Sequence, residues 1–307
     1  MRFRELKAEG LKISEDAGLL LRELMGWSFT EEILNLDQEA DDAFVKAYKE
    51  ALEKLKAHIP LQYITGRAPF YGRDFLVNEN VLIPRFDTEI LVQEALKEIR
   101  GLMAREETDR KEKTCGRDKA GLKEEASVPL KVLDLCTGSG CIAVTLSLEE
   151  SGLELTASDI SEKALETAKK NAESLKAGQN EAGKASKICF VKSDMFENLS
   201  GKYDLIISNP PYIREEVIGT LSPEVKDHEP YIALCGGSDG LHFYRIIARE
   251  GKRFLSPGGK MLLEIGYDQG EDVKALFSRE GYQDIRIVKD LADKERVLSC
   301  STDWKTC

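Results

Sequence analysis

Apolar residues recur at helical spacing through the first 60 positions of the chain. One run begins near Ala17. A longer run begins near Asp41 and ends before Pro60, because a proline disfavours helical backbone at the residue before it. The apolar positions of the two runs are Ala17, Leu20, Leu21, Leu24 and Met25, and then Phe44, Tyr48, Ala51, Leu52 and Leu55. Residues 1–60 are therefore predicted to form a small N-terminal helical bundle.

The pattern changes between residues 61 and 84. The string LQYITGRAPFYGRDFLVNENVLIP combines aromatic and β-branched residues with Gly, Pro and Asn, which is typical of short strands joined by tight turns. We interpret it as a β-hairpin linker. A helix is predicted to follow from Asp87 or Thr88.

Residues 104–127 have a different composition. They hold seven basic and seven acidic residues among 24 positions and almost no apolar side chains. Such a segment buries too little surface to offset the entropy lost on ordering. It is predicted to be a solvated, mobile insertion.

Short apolar runs alternate with helical patterns in the rest of the chain. The runs lie at 131–135, 153–159, 188–194, 203–209, 260–265, 285–290 and 296–300. Several end in Asp or Asn, which is typical of buried parallel strands whose C-terminal ends form a ligand rim. The last two runs lie too close together for an intervening helix, so they are predicted to pair antiparallel. Residues 85–303 thus read as a doubly wound α/β domain with a mostly parallel seven-stranded sheet.

Composition narrows the class of protein. The chain has 307 residues, of which 42% are hydrophobic, and a net charge of −11. The acidic balance disfavours nucleic acid as a partner, because neutralising phosphates requires a basic surface. No stretch approaches about 18 consecutive apolar residues, and no apolar signal segment opens the chain, so we expect neither a membrane span nor export. Seven scattered cysteines without a Cys-x-x-Cys pair favour reduced thiols in the cytoplasm over a disulfide framework or a metal site.

The string DLCTGSG, residues 134–140, is the first candidate site. It leads from a predicted strand into a helix, and its glycines let a ligand approach the backbone closely. Gly138, Gly140 and Ala143 also satisfy a permissive dinucleotide-binding pattern. Asp134 favours an S-adenosylmethionine site instead. It lies inside the strand before the loop, where enzymes that bind S-adenosylmethionine have an acid and dinucleotide-binding folds usually do not.

Two acidic residues follow the next strands. Asp159 can accept hydrogen bonds from both ribose hydroxyls of an adenosine cofactor, and it is equally placed to cap the next helix. In the string SDM, Asp194 can hold an adenine amino group while Met195 lies against the base. The string SDM is a weak signal by itself. It gains weight because it follows a third predicted strand, after the strands that end near DLCTGSG and at Asp159.

NPPY, residues 209–212, is the most specific string in the chain. A planar amide or aromatic amino nitrogen is a poor nucleophile and has to be oriented toward its electrophile. The Asn209 side-chain oxygen and the Pro210 carbonyl can each accept one of its N–H bonds. Consecutive prolines hold the loop rigid, and Tyr212 can form a flat wall for a planar group.

These strings, with residues 61–89 and HEPYIALCGGSDGLHFYRII at 228–247, resemble the bacterial HemK/PrmC family. Its members are class I S-adenosylmethionine-dependent methyltransferases that act on glutamine N5 in peptide chain release factors. The resemblance covers nearly the whole chain except residues 104–127 and the last few positions. It implies a helical domain that helps to recognise the release factor, and it leaves no need for a metal.

The resemblance also implies roles for individual residues. The cofactor would contact Cys136, Thr137, Gly138, Ser139, Gly140, Asp159, Asp194, Met195 and Asn209. The substrate glutamine would contact Asn209, Pro210, Pro211 and Tyr212, with Asn209, Pro210 and Tyr212 acting in catalysis. Members often carry an aromatic residue in place of Met195 and a proline in place of Phe86.

Two charged side chains have open roles. Arg85 could pair with Glu89 or with the cofactor carboxylate, and we prefer the ion pair. Glu229 could orient substrate or lie in a solvated loop. The isolated His58, His228 and His242 have no metal-ligand spacing.

The NPPY string leaves a second enzyme class open, namely adenine-N6 methylation of DNA or RNA, because an adenine amino group is also planar. A non-catalytic module that binds S-adenosylmethionine is a third alternative. Charge argues against adenine-N6 methylation of nucleic acid, because residues 1–60 hold nine basic and thirteen acidic side chains and so offer no basic surface for phosphates. With no apolar surface stripe, a monomer is expected.

Overall fold

The computed structural model describes residues 1–114, 128–178 and 186–302. The N-terminal part is helical, as predicted, and its buried apolar residues form a core of their own around Leu20, Leu21 and Tyr48. The Tyr48 hydroxyl donates a 3.0 Å hydrogen bond to the carbonyl of Ala17. The helices are α1 (Phe3–Gly10), α2 (Ala17–Met25), α3 (Phe29–Asn35), α4 (Asp42–Lys56) and α5 (Leu61–Thr65).

A short hairpin follows these helices. Strands β1 (Arg67–Phe70) and β2 (Arg73–Leu76) pair antiparallel. Tyr71 and Gly72 between them both have positive φ, the geometry that matches strand twist in a two-residue hairpin. The hairpin lies within the predicted linker 61–84, whose first five residues are helical instead.

Helix α6 (Thr88–Thr114) is longer than predicted. It continues through residues 104–114, which we expected to be a mobile insertion. Glu, Lys, Arg and Ala have high intrinsic helix propensity, which favours a helix here although the segment has few apolar side chains to bury. The rest of that predicted insertion, residues 115–127, lies outside the described residues.

Within the described residues, a seven-stranded sheet follows, in the order β5-β4-β3-β6-β7-β9-β8. All neighbouring strands are parallel except β9, which is antiparallel to β7 and β8. The mostly parallel sheet and the antiparallel pair at its end confirm the predicted architecture. The strands are β3 (Leu130–Leu135), β4 (Leu153–Asp159), β5 (Lys187–Lys192), β6 (Tyr203–Ser208), β7 (Leu255–Glu264), β8 (Gln283–Lys289) and β9 (Glu295–Ser301).

Helices cover both faces of the sheet, and successive strand residues point to opposite faces. Val132 joins the core beneath α6, whereas Leu133 joins the core on the other face. None of the helices in the described ranges is both long and apolar enough to cross a membrane. Beyond α6 the helices are α7 (Cys141–Glu149), α8 (Glu162–Ser174), α9 (Glu215–Ile218), α10 (Pro223–Lys226), α11 (Tyr231–Leu234), α12 (His242–Glu250) and α13 (Gly270–Arg279).

Candidate active site

A cavity of about 340 Å³ opens at the C-terminal ends of β3, β4 and β6. The chain order reverses at β3, with β4 on one side and β6 on the other. In open α/β sheets this reversal leaves a crevice where ligands bind. Predicted site residues on its wall are Cys136, Thr137, Gly138, Ser139, Asp159, Asp194, Met195, Asn209 and Pro211.

A second cavity, of about 260 Å³, adjoins the first. Pro210 and Tyr212 line this cavity and not the first. Asn209 lines both, together with Arg85, Leu82 and Ala233. The NPPY loop therefore forms the wall between the two cavities.

The glycine loop leaves room for a ligand at one position and closes a helix contact at another. Gly138 has a φ of 55°, and a Cβ placed on it would meet no atom within 4 Å. Gly140 does not line the cavity; a Cβ there would lie 2.9 Å from the Cβ of Ala168 in α8. Gly140 thus allows α7 and α8 to approach each other.

Asp134 lies beneath the loop and is completely buried. Its Oδ2 accepts hydrogen bonds from the Thr137 hydroxyl at 2.6 Å and from the Ala143 amide at 3.1 Å. Burial raises the pKa of Asp134 to about 7. The carboxyl thus holds the loop onto the start of α7.

Asp159 ends β4 at the cavity wall. Its Oδ2 accepts from the Gly138 amide and its Oδ1 from the Ser161 amide, both at 2.9 Å. Ser161, and not Asp159, caps α8 through the Ala164 amide. Burial raises the pKa of Asp159 while these N–H groups act in the opposite direction. Each oxygen keeps acceptor capacity for a ligand hydroxyl.

The turn at 193–195 is held by a serine. The Ser193 hydroxyl donates to the Met195 carbonyl at 2.9 Å and accepts from the Asn198 amide at 3.0 Å. This brings Met195 to a φ of 44° and its sulfur to 4.0 Å from that of Cys136. Two sulfur atoms therefore lie together at the cavity wall and form a polarizable surface on which a planar base can pack.

Asn209 is oriented by the start of α6. Its side-chain Nδ2 donates a 3.1 Å hydrogen bond to the Thr88 hydroxyl. Thr88 is 2% exposed, so this acceptor is shielded from water. With the amide nitrogen so engaged, the acceptor Oδ1 is left for a ligand at the wall between the cavities.

Tyr212 is anchored at both ends. Its hydroxyl donates to Oε1 of Glu264 at 3.2 Å, and its carbonyl accepts from the Gln269 side chain at 3.0 Å. Burial raises the pKa of Tyr212 and raises that of Glu264 to about 7. The tyrosine ring is thus fixed as one side of the second cavity.

Arg85 and Glu229 form an ion pair where the two cavities meet. The other carboxylate oxygen of Glu229 accepts from the Ile83 amide at 3.2 Å, and Glu229 is buried. The predicted partner of Arg85, Glu89, instead accepts from the Tyr71 amide at 2.8 Å. Glu229 therefore holds the segment before α6 against the rim and does not lie in a solvated loop.

The sequence prediction missed Thr88 and Glu264 as site residues. Thr88 carried only a helix-start signal. Glu264 did carry a sequence signal, because it is an acid near the end of the apolar run 260–265, much as Asp159 ends the run 153–159. Across residues 1–114, 128–178 and 186–302, no three His, Cys, Asp or Glu side chains cluster as metal ligands would.

Comparison with known proteins gives the family. The chain matches family models described as "PrmC N-terminal domain" over residues 4–66 and "Methyltransferase small domain" over 122–221. A "Release factor glutamine methyltransferase" of Agrobacterium fabrum is 36% identical over 284 residues, covering 92% of this chain and 89% of that protein. The chain belongs to the family of release factor glutamine methyltransferases.

Other relatives are longer. A "Bifunctional methyltransferase" of Rickettsia felis is 38% identical over 305 residues, which cover 96% of this chain and 55% of that protein. The chain thus spans about half the length of such relatives. Among solved structures, the hMettl16 catalytic domain in complex with MAT2A 3′UTR hairpin 1 has a TM-score of 0.51 at 14% identity, covering 95% of this chain and 94% of that one. This likeness confirms the class I methyltransferase fold.

Proposed function

We propose that the protein transfers a methyl group from S-adenosylmethionine to the side-chain nitrogen of the glutamine in the Gly-Gly-Gln motif of peptide chain release factors. The observation that carries the proposal is the position of Asn209 in the wall between two cavities, with its amide held by Thr88. One cavity suits the cofactor and the other a planar side chain. The names of relatives in the family support the substrate class.

The residues of the larger cavity fit the cofactor. Asp159 offers carboxylate oxygens to the ribose, and Met195 and Asp194 offer an apolar face and an acceptor to the adenine. The open space beside Gly138 admits the methionine part. S-adenosylmethionine would supply there a methyl group made electrophilic by its sulfonium.

The chain's own residues orient the nucleophile. Asn209 Oδ1 and the Pro210 carbonyl each accept a hydrogen bond from one N–H group of the glutamine amide. This turns one face of the amide nitrogen toward the larger cavity. Tyr212 and Leu82 exclude water from the amide. Because Asn209 and Tyr212 are each held by a second side chain, this geometry exists before the substrate binds.

Methyl-labelled S-adenosylmethionine, incubated with the protein and purified release factor, tests the proposal. We expect label on the glutamine of Gly-Gly-Gln, located by peptide mass. A release factor with asparagine in place of that glutamine is the matched control and should stay unlabelled. An unlabelled wild-type release factor would overturn the proposal.

The alternative, adenine-N6 methylation of nucleic acid, is tested in the same experiment with duplex DNA and RNA as acceptors. The NPPY loop suits an adenine amino group as well as an amide. The net charge of −11 favours the protein substrate, because extrusion of a base requires a groove that neutralises phosphates. Label on adenine alone would overturn the proposed protein substrate. The methyltransferase fold and the assignment of S-adenosylmethionine as cofactor would still hold.

The setting of the reaction follows from the substrate. Release factors act in translation termination, so we place the enzyme in the cytoplasm, with its five cysteines in the described ranges as free thiols. The helical bundle is proposed to contribute to recognition of the release factor. We propose a monomer that does not itself bind nucleic acid.

Thr88→Val should lower kcat about tenfold, because valine keeps the volume of threonine and removes the acceptor that orients Asn209. The KM for release factor and the affinity for S-adenosylmethionine should stay within about threefold. Thr88→Ser restores the hydroxyl and should restore kcat. Equal loss in both variants would show that Thr88 acts by packing alone.

Asp159→Asn should weaken binding of S-adenosylmethionine about tenfold or more in titration calorimetry. The variant loses the charge that strengthens hydrogen bonds from ribose hydroxyls and from the Gly138 amide. Glu162→Gln, three residues away on an exposed side chain, is the matched control. Unchanged affinity in Asp159→Asn would contradict the assigned ribose contact.

A further inference from the structure

Glu264 is a buried acid that anchors Tyr212 through one of its two oxygens. It is 1% exposed and ends β7. In the register of β6 and β7, Ser208 lies opposite Leu263, so the next residues along the two strands are Asn209 and Glu264. Residues at the same register point to the same face of a sheet. Glu264 is therefore a direct neighbour of the residue that holds the substrate nitrogen.

One oxygen of this carboxyl is unused. Oε1 accepts from the Tyr212 hydroxyl, and the Thr88 hydroxyl also lies close enough to the carboxyl to lower its pKa, whereas Oε2 has no partner at hydrogen-bond distance and angle within the described residues. Glu264 lines the second cavity together with Asn209 and Pro210, the two proposed acceptors of the amide N–H bonds. A buried polar atom without a partner costs free energy, and Glu264 lines a cavity from which a ligand can reach Oε2.

The surroundings do not neutralise Glu264. Arg296 faces it from β9, but its guanidinium already pairs with Asp87 at 3.0 Å and with Asp290 at 2.9 Å. An acceptor for the Tyr212 hydroxyl could equally be a glutamine, which would carry no charge. A carboxyl at this position thus exceeds what anchoring the loop needs. The titratable or charged groups that face it are Tyr212 from the NPPY loop, Asp87 before α6, Arg296 from β9, Tyr244 from α12 and Cys141 at the start of α7.

We propose that Glu264 is the catalytic proton acceptor of the reaction, taking through Oε2 the proton that the glutamine amide loses. The inference rests on the proposed function. The amide nitrogen forms a bond to the methyl carbon with its own electron pair, and the pair of the broken carbon–sulfur bond stays on sulfur. The nitrogen then carries one proton too many. Its transfer to Oε2 leaves a neutral methylamide and a protonated Glu264, which later loses the proton to water.

The direction of the pH effect follows. Burial raises the pKa of Glu264 to about 7. Below that pH the carboxyl is protonated and cannot accept a proton, so kcat should fall as the pH decreases through about 7. Above it the carboxylate is ionised and kcat should level off.

Glu264→Gln tests the role. The variant should lower kcat about 100-fold and remove the decline of kcat at acidic pH, while the KM for release factor stays within about threefold. Glu264→Asp keeps an acid one methylene shorter and should show intermediate kcat with an acidic decline. Glu98→Gln, a partly buried carboxyl that pairs with Lys260, is the matched control and should leave kcat and its pH profile unchanged.

A readout on the cofactor-free protein is independent of turnover. Infrared titration of the free wild type should show the loss of carboxyl protons near pH 7 from Asp134 and Glu264 together, and Glu264→Gln should remove the Glu264 part of this signal and leave that of Asp134. Tyr212→Phe separates catalysis from anchoring: it should keep the acidic decline of kcat, because the carboxyl remains.

The outcomes distinguish the two proposals. If the wild type labels Gly-Gly-Gln but Glu264→Gln has wild-type kcat or keeps the acidic decline, Glu264 is not the acceptor and the proposed function stands. The same conclusion follows if Tyr212→Phe loses the decline, since Glu264 would then act only through the tyrosine. If the wild type labels no glutamine, both proposals fail.

Discussion

Asn209→Ala is expected to lower kcat for methylation of the release factor about 1,000-fold. The variant removes Oδ1, which accepts a hydrogen bond from one N–H group of the substrate amide. It also removes Nδ2, which donates to the Thr88 hydroxyl. Loss of one preorganised polar group at a reacting centre costs about 100- to 1,000-fold, and a misaligned nucleophile adds to that. Labelled methyl transfer under single turnover measures the effect.

A binding measurement separates loss of alignment from loss of the site. Asn209 also lines the larger cavity, so calorimetry with S-adenosylmethionine should show a reduction in affinity of no more than about tenfold. Asn209→Asp keeps two acceptor oxygens but loses the donor to Thr88, and its kcat should fall between those of wild type and Asn209→Ala. A kcat of Asn209→Ala within threefold of wild type would remove Asn209 from the mechanism.

Local patterns predicted the elements of this fold well because the strands are short apolar runs, several of which end at a polar residue. The ends of three such runs meet at one cavity, so the predicted positions Gly138, Asp159 and Asn209 lie on a common wall. Helix α6 was predicted too short. Residues 104–114 have few apolar side chains to bury, but their Glu, Lys and Arg residues favour a helix by intrinsic propensity.

The contacts that hold the site were beyond sequence patterns. Asn209 and Thr88 are 121 positions apart, and Arg85 and Glu229 are 144 apart. A pattern shows which side chains can form such bonds but not which of many candidates lie adjacent. Gly140 shows the same limit, since only the separation of α7 and α8 reveals that its missing Cβ serves packing.

Glu264 was predictable in principle. It follows the same rule as Asp159, an acid at the C-terminal end of an apolar strand. The NPPY motif follows the neighbouring strand β6 and does not include Glu264. A search for motifs therefore does not find this residue. The register of β6 and β7 adds the residue opposite.

Gly236→Ala is the second variant expected to have a large effect, although residue 236 touches neither cavity. A Cβ there would lie 2.7 Å from the Tyr212 Cα and 2.9 Å from both the Pro211 and the Gly240 carbonyl oxygens. All three atoms belong to backbone, so the NPPY loop has to shift. The Gly236 amide also donates to the Ile213 carbonyl at 2.8 Å, which ties the two segments together.

A shift of the loop by about 1 Å should cost about 100-fold in kcat, because Asn209 and Pro210 hold the nucleophile. Overpacking of this kind also lowers the free energy of unfolding by about 1–3 kcal/mol, visible as a lower Tm. Gly219→Ala is the matched control: Gly219 has an ordinary φ of −63° and no atom within 4 Å of the added Cβ. Its kcat and Tm should equal those of wild type. If Gly236→Ala also retains wild-type kcat, the reaction does not depend on the exact position of the NPPY backbone, and orientation by Asn209 and Pro210 fails as its explanation.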